Sequence, residues 1–145
     1  KNSNYSIFAT IRSSNTFKAP AGSSKYHLFK NIDVENKKDL EIVFSKVNPD
    51  IVINCVGIVK QSKEMKNSYK VIYLNSLLPH YLQNLCTSHS SRFINISTDC
   101  VFSGLKGNYL EKDLPDAADL YGRSKYLGEV SCGNTITLRT SLNYY

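Results

Sequence analysis

The sequence has no long apolar run, no extended run of basic residues and no closely spaced pair of cysteines. Its longest apolar stretches, such as Ile51-Val52-Ile53, are far shorter than the roughly 20 residues that cross a bilayer, so we expect no membrane partner. No run of Lys or Arg exceeds two residues. The net charge of +6 therefore favours small phosphate-bearing ligands over nucleic acid.

The cysteines predict no metal site. Metal sites usually take paired ligands at short spacing, whereas the cysteines here are far apart and form no C-x-x-C pair. Two of them adjoin apolar runs, which is typical of reduced, buried thiols in a cytoplasmic protein. The four positions are Cys55, Cys86, Cys100 and Cys132.

The composition is that of an ordinary globular domain. The chain has 145 residues, of which 41% are apolar and 21% charged, enough for one domain with one core.

The chain begins at Lys1 without an initiator Met and ends at Tyr145 directly after an apolar run. We expect both ends to be truncated. The sequence leaves the oligomeric state open, a homodimer included.

Hydrophobic patterning predicts alternating strands and helices. Short β-branched or apolar runs predict strands, and apolar residues at three- and four-residue steps predict helices. Pro79 lies inside the longest helix and predicts a kink or a new start there. This alternation is typical of a Rossmann-like, doubly wound parallel sheet with three α/β/α layers. We predict strands at 5–11, 27–32, 51–57, 92–97 and 135–140, helices at 36–47, 67–88 and 120–131, and loops at 13–24 and 103–119.

The chemically distinctive residues follow the predicted strands. Ligands of doubly wound sheets bind beyond the carboxyl ends of the strands, so these segments are the candidate site. They are Arg12, Asp33, Asn54 to Gly57, Ser97 to Asp99, and Arg139 to Ser141.

Tyr121 and Lys125 are four residues apart and would share one face of a helix. A lysine ammonium near a phenol favours the phenolate and lowers the phenol pKa, so the tyrosine can exchange a proton with an alcohol or ketone. Such a pair also arises by chance on a solvated helix face. Thr98 ends a buried-type strand 23 residues upstream of Tyr121, where its hydroxyl could hold a substrate carbonyl oxygen beside the phenol.

Two segments carry a resemblance to a known family. The first reads STDCVFSG from Ser97 to Gly104, and the second reads YGRSKYLGE from Tyr121 to Glu129. They closely resemble the S-T-D-x-V-F-x-G and Y-G-x-S-K-x-x-G-E signatures of the dTDP-4-dehydrorhamnose reductase family, a branch of the extended short-chain dehydrogenases/reductases. The resemblance extends over the whole chain, from the second to the sixth strand of the family's Rossmann-like domain.

The resemblance implies an enzyme that reduces a 4-keto nucleotide sugar with NADP or NAD, in surface polysaccharide or deoxysugar biosynthesis. In this family a hydride passes from the nicotinamide to a sugar ketone. The resemblance implies that Tyr121 is the catalytic acid/base and that Thr98 orients the keto oxygen. It also implies that Lys125 binds the nicotinamide ribose and tunes Tyr121.

Further cofactor contacts are expected at other strand ends. By the resemblance, an acidic residue and its neighbour lie beside the adenine, and a block of small residues runs along the ribose and pyrophosphate. Arg12 could pair with an NADP 2′-phosphate, although a solvated loop arginine explains it equally well. Asn75 matches a helix asparagine that we treat as structural support. The expected cofactor residues are Arg12, Asp33, Val34, Asn54, Cys55, Val56, Gly57 and Lys125.

The sequence also departs from the family. Cys100 stands where the family commonly has a tyrosine that can contact the sugar, so the residues expected at the substrate are Asp99 and Cys100 and the sugar itself is left open. The first strand, the G-x-x-G-x-x-G turn that holds a pyrophosphate and the C-terminal substrate segments are missing. Residues 1–145 are thus interpreted as a partial NAD(P)-binding domain that does not turn over substrate by itself.

Two alternatives to a reductase stay open. The regulatory subunit of methionine adenosyltransferase is similar to this family, so the same fold can serve as a non-catalytic nucleotide-binding module. The intact set of Thr98, Tyr121 and Lys125 favours an enzyme, because a scaffold has no physical need of it. An epimerase or dehydratase is the other alternative, and the S-T-D-x-V-F block argues against it.

Overall fold

The structure is a computed structural model that describes residues 5–13 and 26–141. It divides into two compact units, Lys1–Asn48 and Pro49–Tyr145. From residue 14 onwards, the loop predicted at 13–24 lies outside the described residues.

The first unit contains two parallel strands and one helix. Its described elements are β1 (Ile7–Ile11), β2 (Tyr26–Lys30) and α1 (Lys37–Val47). Ile7 pairs with Tyr26 and Ile11 with Lys30, so the two strands end at the same edge. Asn36 caps α1, because its side chain accepts a hydrogen bond from the Lys38 amide. The sequence prediction of two strands followed by a helix is confirmed.

The second unit is built on a parallel three-stranded sheet in the order β3-β4-β5. Residues Ile51 to Asn54 of β3 pair with Arg92 to Asn95 of β4, and Phe93 to Thr98 pair with Thr135 to Thr140 of β5. All three strands therefore end at one edge of the sheet. The elements of this unit are β3 (Ile51–Asn54), α2 (Ser68–Ile72), α3 (Leu78–Ser88), β4 (Arg92–Thr98), α4 (Leu120–Leu127) and β5 (Thr135–Thr140), with 3-10 turns at Lys63–Lys66 and Asp99–Val101.

The long helix predicted at 67–88 is broken, as Pro79 indicated. Residues Ser68–Ile72 form α2, Tyr73–Leu77 form a π-helical turn, and α3 begins at Leu78 with Pro79 in its first turn. The helical backbone runs on through this point, since the Leu78 amide donates to the Tyr73 carbonyl, and Pro79 itself has no amide hydrogen that needs a partner. The π turn itself was not predicted. Within the described residues, no helix is long and apolar enough to span a membrane.

The sheet of the second unit buries one face and exposes the other. The buried face packs against α3 and α4 and includes Phe93, which is fully buried, and Asn95. The opposite face is aliphatic and open: Ile51, Ile53, Ile136 and Leu138 are 44–58% exposed. Ile51 and Ile53 of β3 lie on this open face, which no described helix of the unit covers.

Candidate active site

A pocket of about 340 Å³ opens at the edge of the second unit where β3, β4 and β5 end. Its wall combines apolar side chains with hydroxyl, thiol, carboxyl and ammonium groups. Thr98, Tyr121 and Lys125 all line it, as the sequence predicted. The full lining is Cys55, Val56, Gly57, Ile58, Val59, Lys60, Gln61, Ile96, Ser97, Thr98, Asp99, Cys100, Tyr121, Lys125, Thr140 and Ser141.

Thr98 is fixed by the turn that follows β4. Its hydroxyl oxygen accepts a hydrogen bond from the Cys100 amide at 3.2 Å and donates to Asp99 Oδ1 at 3.3 Å. Thr98 thereby caps the 3-10 turn that begins at Asp99. Thr98 is 7% exposed. The turn also brings Asp99 and Cys100, the residues predicted to contact substrate, to the pocket wall.

Tyr121 reaches the pocket because the first turn of α4 packs tightly against this 3-10 turn. Asp119 caps α4 by accepting a 2.8 Å hydrogen bond from the Gly122 amide. A side-chain methyl at Gly122 would overlap the carbonyl oxygen of Cys100 and lie 2.5 Å from Ala117 Cβ. Only glycine allows this approach, and the approach sets Tyr121 beside Thr98.

The phenol of Tyr121 has a raised pKa, which corrects the expectation that Lys125 would lower it. Burial is the largest cause, because it disfavours the phenolate. The Thr98 side chain acts in the opposite direction and lowers the pKa in part. A raised pKa keeps the phenol protonated at neutral pH, which suits a group that gives a proton to substrate.

Lys125 is buried, at 8% exposure, and its ammonium donates a 2.6 Å hydrogen bond to the carbonyl oxygen of Ile96. Burial lowers the lysine pKa, and the nearby carboxylate of Glu129 raises it in part. An ammonium has three N–H donors, so the bond to Ile96 leaves donors for hydroxyl groups of a ligand in the pocket.

Glu129 belongs to a charged network behind Lys125. Arg139 on β5 donates to both carboxylate oxygens of Glu129, at 2.9 Å and 2.7 Å. Ser97 donates to the same carboxylate at 2.8 Å. The guanidinium of Arg139 also stacks on the Phe102 ring, 4.9 Å from its centroid. The network ties β4, β5 and the end of α4 together beside the pocket.

Buried asparagines hold α4 against the sheet and the neighbouring loop. Asn75, in the π turn, donates to Ser124 Oγ at 3.1 Å and exchanges hydrogen bonds with the backbone of Ile58. Asn95 donates to the Gly128 carbonyl at 3.0 Å. Helix α4 ends at Leu127, four residues earlier than predicted, and a side-chain methyl at Gly128 would overlap the Asn75 carbonyl oxygen. This arrangement supports the expected structural role of Asn75.

The predicted cofactor residues of the β3 loop divide into two groups. Cys55, Val56 and Gly57 line the pocket. Asn54 does not: it is 3% exposed and lies beneath the wall, where it donates to Asn95 and accepts from the Val56 amide. Its amide shapes the backbone of the loop and is not offered to a ligand.

The other predicted cofactor residues belong to the first unit. Arg12 follows β1, and Asp33 and Val34 follow β2, so all three lie at the carboxyl edge of this strand pair. Asp33 Oδ1 accepts a 3.0 Å hydrogen bond from the Glu35 amide, and the Asp33 amide donates to Asp39 Oδ2. Asp33 thus organises the turn into α1, while Arg12 is exposed.

Thr140 and Ser141, which were among the strand-end candidates, also line the pocket. Five residues of its wall were not predicted from the sequence. They are Ile58, Val59, Lys60 and Gln61, which extend the β3 loop beyond the predicted block, and Ile96 of β4. Considering the whole loop after β3 as a candidate ligand site, rather than its first few residues, would have found the first four.

Comparison with known proteins identifies the family. A sequence model of the family described as RmlD substrate binding domain matches residues 2–144. A dTDP-4-dehydrorhamnose reductase of Aggregatibacter actinomycetemcomitans is 32% identical over 124 residues, 80% of this chain and 41% of the relative. The spore coat polysaccharide biosynthesis protein SpsK of Bacillus subtilis is 30% identical over 79% of this chain and 42% of its own length.

Solved structures agree with the sequence comparison. A hypothetical dTDP-4-dehydrorhamnose reductase from Sulfolobus tokodaii superposes with a TM-score of 0.72 at 28% identity, covering 87% of this chain and 48% of that one. The NADP complex of dTDP-4-dehydrorhamnose reductase from Bacillus anthracis superposes with a TM-score of 0.64 at 25% identity, covering 71% and 38%. The fold is therefore the predicted Rossmann-like α/β fold.

The chain spans about two fifths of the length of the curated relatives it matches, 41–42% in the two above. The match over residues 2–144 nevertheless covers nearly all of its own length. The chain belongs to the RmlD substrate binding domain family.

Proposed function

We propose that the protein carrying this chain reduces the 4-keto group of a nucleotide sugar with NADPH or NADH. The observation that carries the proposal is that Thr98, Tyr121 and Lys125 line one pocket. The Thr98 side chain is also near enough to the Tyr121 phenol to lower its pKa in part. Two hydroxyls on one wall can serve one substrate oxygen as general acid and second donor.

Each residue has a distinct role in this reaction. Tyr121 donates its phenolic proton to the oxygen of the ketone as the carbonyl carbon is reduced, so the product is an alcohol. Thr98 turns its one hydroxyl hydrogen from Asp99 Oδ1 to the same oxygen and fixes its position. Lys125 holds ribose hydroxyls with the N–H donors that Ile96 leaves free. The bound nicotinamide supplies the hydride.

The residues present fit such a cofactor. Gly57 lies on the pocket wall, and a side-chain methyl there would point to within 3.7 Å of Lys125 Nζ and 3.1 Å of Asn75 Oδ1. The glycine thus keeps open the space in front of the ammonium where a ribose would lie. Arg12 and Asp33, at the strand ends of the first unit, are proposed for the adenosine end of the cofactor.

The names of the relatives support the choice of substrate and pathway. They include dTDP-4-dehydrorhamnose reductases, a dTDP-4-keto-6-deoxy-D-glucose reductase and a spore coat polysaccharide protein. We therefore propose a dTDP-4-dehydrorhamnose-like substrate and a role in surface polysaccharide or deoxysugar biosynthesis. Four free cysteines support a cytoplasmic location, where thiols stay reduced.

The test is NADPH oxidation by the complete gene product. We expect oxidation that depends on a dTDP-4-keto sugar, with one alcohol formed per NADPH consumed. The control substrate is dTDP-glucose, which has no ketone and should give no oxidation. Binding of NADPH without any oxidation would favour the regulatory-module alternative, and conversion of the sugar without net oxidation would favour an epimerase or dehydratase.

A further inference from the structure

Lys60 places a second, exposed cation on the wall of the same pocket. It lies in the loop after β3, and its side chain is 56% exposed. Its ammonium donates a 2.7 Å hydrogen bond to Asp119 Oδ2. Lys60 is therefore an exposed cation on the wall that also carries the proposed acid, Tyr121. Nothing in the roles of Thr98, Tyr121 and Lys125 uses it.

The partner of Lys60 has another function that does not require the ion pair. Asp119 caps α4 through its other oxygen, Oδ1, which accepts from the Gly122 amide at 2.8 Å. Its side chain is 45% exposed. An exposed ion pair stabilises a fold little, because water solvates both charges well. Lys60 can therefore exchange Asp119 for another anion without disturbing the cap.

A diphosphate is the ligand group that matches this position. Lysine is a flexible point charge that binds phosphate oxygens well. Both nucleotides of the proposed reaction carry a diphosphate, and the pocket holds the proposed catalytic residues for the sugar end of one and the nicotinamide end of the other. An exposed cation on the wall of this pocket is suited to bind such a group.

We propose that Lys60 binds a nucleotide diphosphate at the opening of the pocket, exchanging Asp119 for a phosphate oxygen. The inference rests on the proposed function, since that function supplies the nucleotides. The diphosphate could belong to the nucleotide sugar or to the cofactor, and binding of each ligand separately distinguishes the two.

The experiment compares three variants of the complete gene product. Lys60→Gln removes the cation. Asp119→Asn removes the competing charge and keeps a good helix cap. Lys106→Gln is the matched control, because Lys106 is also 56% exposed and pairs with an aspartate, Asp113, at 2.6 Å but does not line the pocket. The measured quantities are dissociation constants for dTDP-glucose and, separately, for NADPH by calorimetry.

We expect Lys60→Gln to weaken binding of one nucleotide by about tenfold, the size of one charge-assisted contact. Asp119→Asn should leave that affinity unchanged or increase it, and Lys106→Gln should leave it unchanged. A selective loss for dTDP-glucose assigns the site to the sugar nucleotide, and a selective loss for NADPH assigns it to the cofactor. Unchanged binding of both nucleotides by Lys60→Gln would overturn the proposal. Equal weakening by Lys60→Gln and Asp119→Asn would overturn it too, because the ion pair itself would then be what matters.

Failure of this inference is separable from failure of the reductase proposal. The probe dTDP-glucose has no ketone, so its binding does not depend on reduction. If Lys60→Gln reduces the keto sugar normally and binds both nucleotides normally, the proposed role of Lys60 is refuted and the reductase proposal stands. If the parent reduces no keto sugar but Lys60→Gln selectively loses dTDP-glucose binding, the role of Lys60 stands and the reductase proposal is refuted.

Discussion

The ammonium of Lys125 donates its 2.6 Å hydrogen bond to the backbone carbonyl of Ile96, two residues before Thr98 on β4. This contact joins α4 to the strand that carries the other catalytic hydroxyl. It also holds the ammonium at the backbone of β4. Burial is the largest cause of the raised pKa of Tyr121.

Replacing Lys125 by Met should change how stability depends on pH. Burial lowers the pKa of Lys125 below 10.5 in the folded protein, so between that lowered value and 10.5 the unfolded chain binds more protons. The free energy of unfolding of the parent should therefore gain a contribution that grows with pH across that window. Lys125→Met lacks this contribution.

The measurement is denaturant unfolding of both proteins from pH 7 to pH 11. The stability of the parent relative to Lys125→Met should rise with pH. Lys106→Met is the control for an exposed lysine and should follow the parent. A difference between parent and Lys125→Met that does not vary with pH would refute the buried, pKa-shifted lysine.

Gly122→Ala should destabilise the protein by about 1–3 kcal/mol, the cost of overpacking a tight contact. The added methyl would overlap the Cys100 carbonyl and approach Ala117 Cβ to 2.5 Å, so the first turn of α4 must move away from the 3-10 turn. Since that contact sets Tyr121 beside Thr98, turnover of the complete gene product should fall as well. The control is Leu127→Ala on the same helix. Leu127 is 61% exposed, so this change should alter the free energy of unfolding by no more than about 0.5 kcal/mol. Equal unfolding midpoints for the two variants would contradict the packing described here.

Thiol labelling should map the pocket. Cys55 and Cys100 line it, Cys132 is exposed elsewhere, and Cys86 is buried with its pKa raised to about 11. The thiolate is the reactive form, so Cys86 should react with iodoacetamide only after unfolding. Bound NADPH should slow labelling of the pocket cysteines and leave Cys132 unaffected. Peptide mass spectrometry gives each rate, and equal protection of Cys132 would argue against this pocket as the cofactor site.

The rule that ligands bind beyond the carboxyl ends of the strands predicted the site best where a regular strand or helix fixes the direction of a side chain. Thr98 ends β4 and Tyr121 and Lys125 are one turn apart on α4, so a parallel sheet brings all three to one edge. Lys60 escaped prediction because it lies in an irregular loop, which has no periodic pattern that indicates a direction for its side chain.

The pKa of Tyr121 could not be predicted from spacing, because it depends on packing between distant segments. Gly122 lets α4 approach the Cys100 backbone, and that approach buries the phenol. The π turn at Tyr73–Leu77 was missed for a related reason. Asn75 lies in this irregular turn and hydrogen-bonds to Ile58 and Ser124, which are 17 and 49 residues away in sequence.

Tyr121→Phe in the complete gene product tests the central claim that Tyr121 is the proton donor. The change keeps the ring and removes only the hydroxyl, so packing should be preserved. The measurement is the turnover number with a dTDP-4-keto sugar beside the dissociation constant for NADPH. Turnover should fall by about 10²–10⁴-fold, the usual contribution of a positioned general acid, while NADPH affinity stays within about twofold of the parent. Near-normal turnover in Tyr121→Phe would contradict the account.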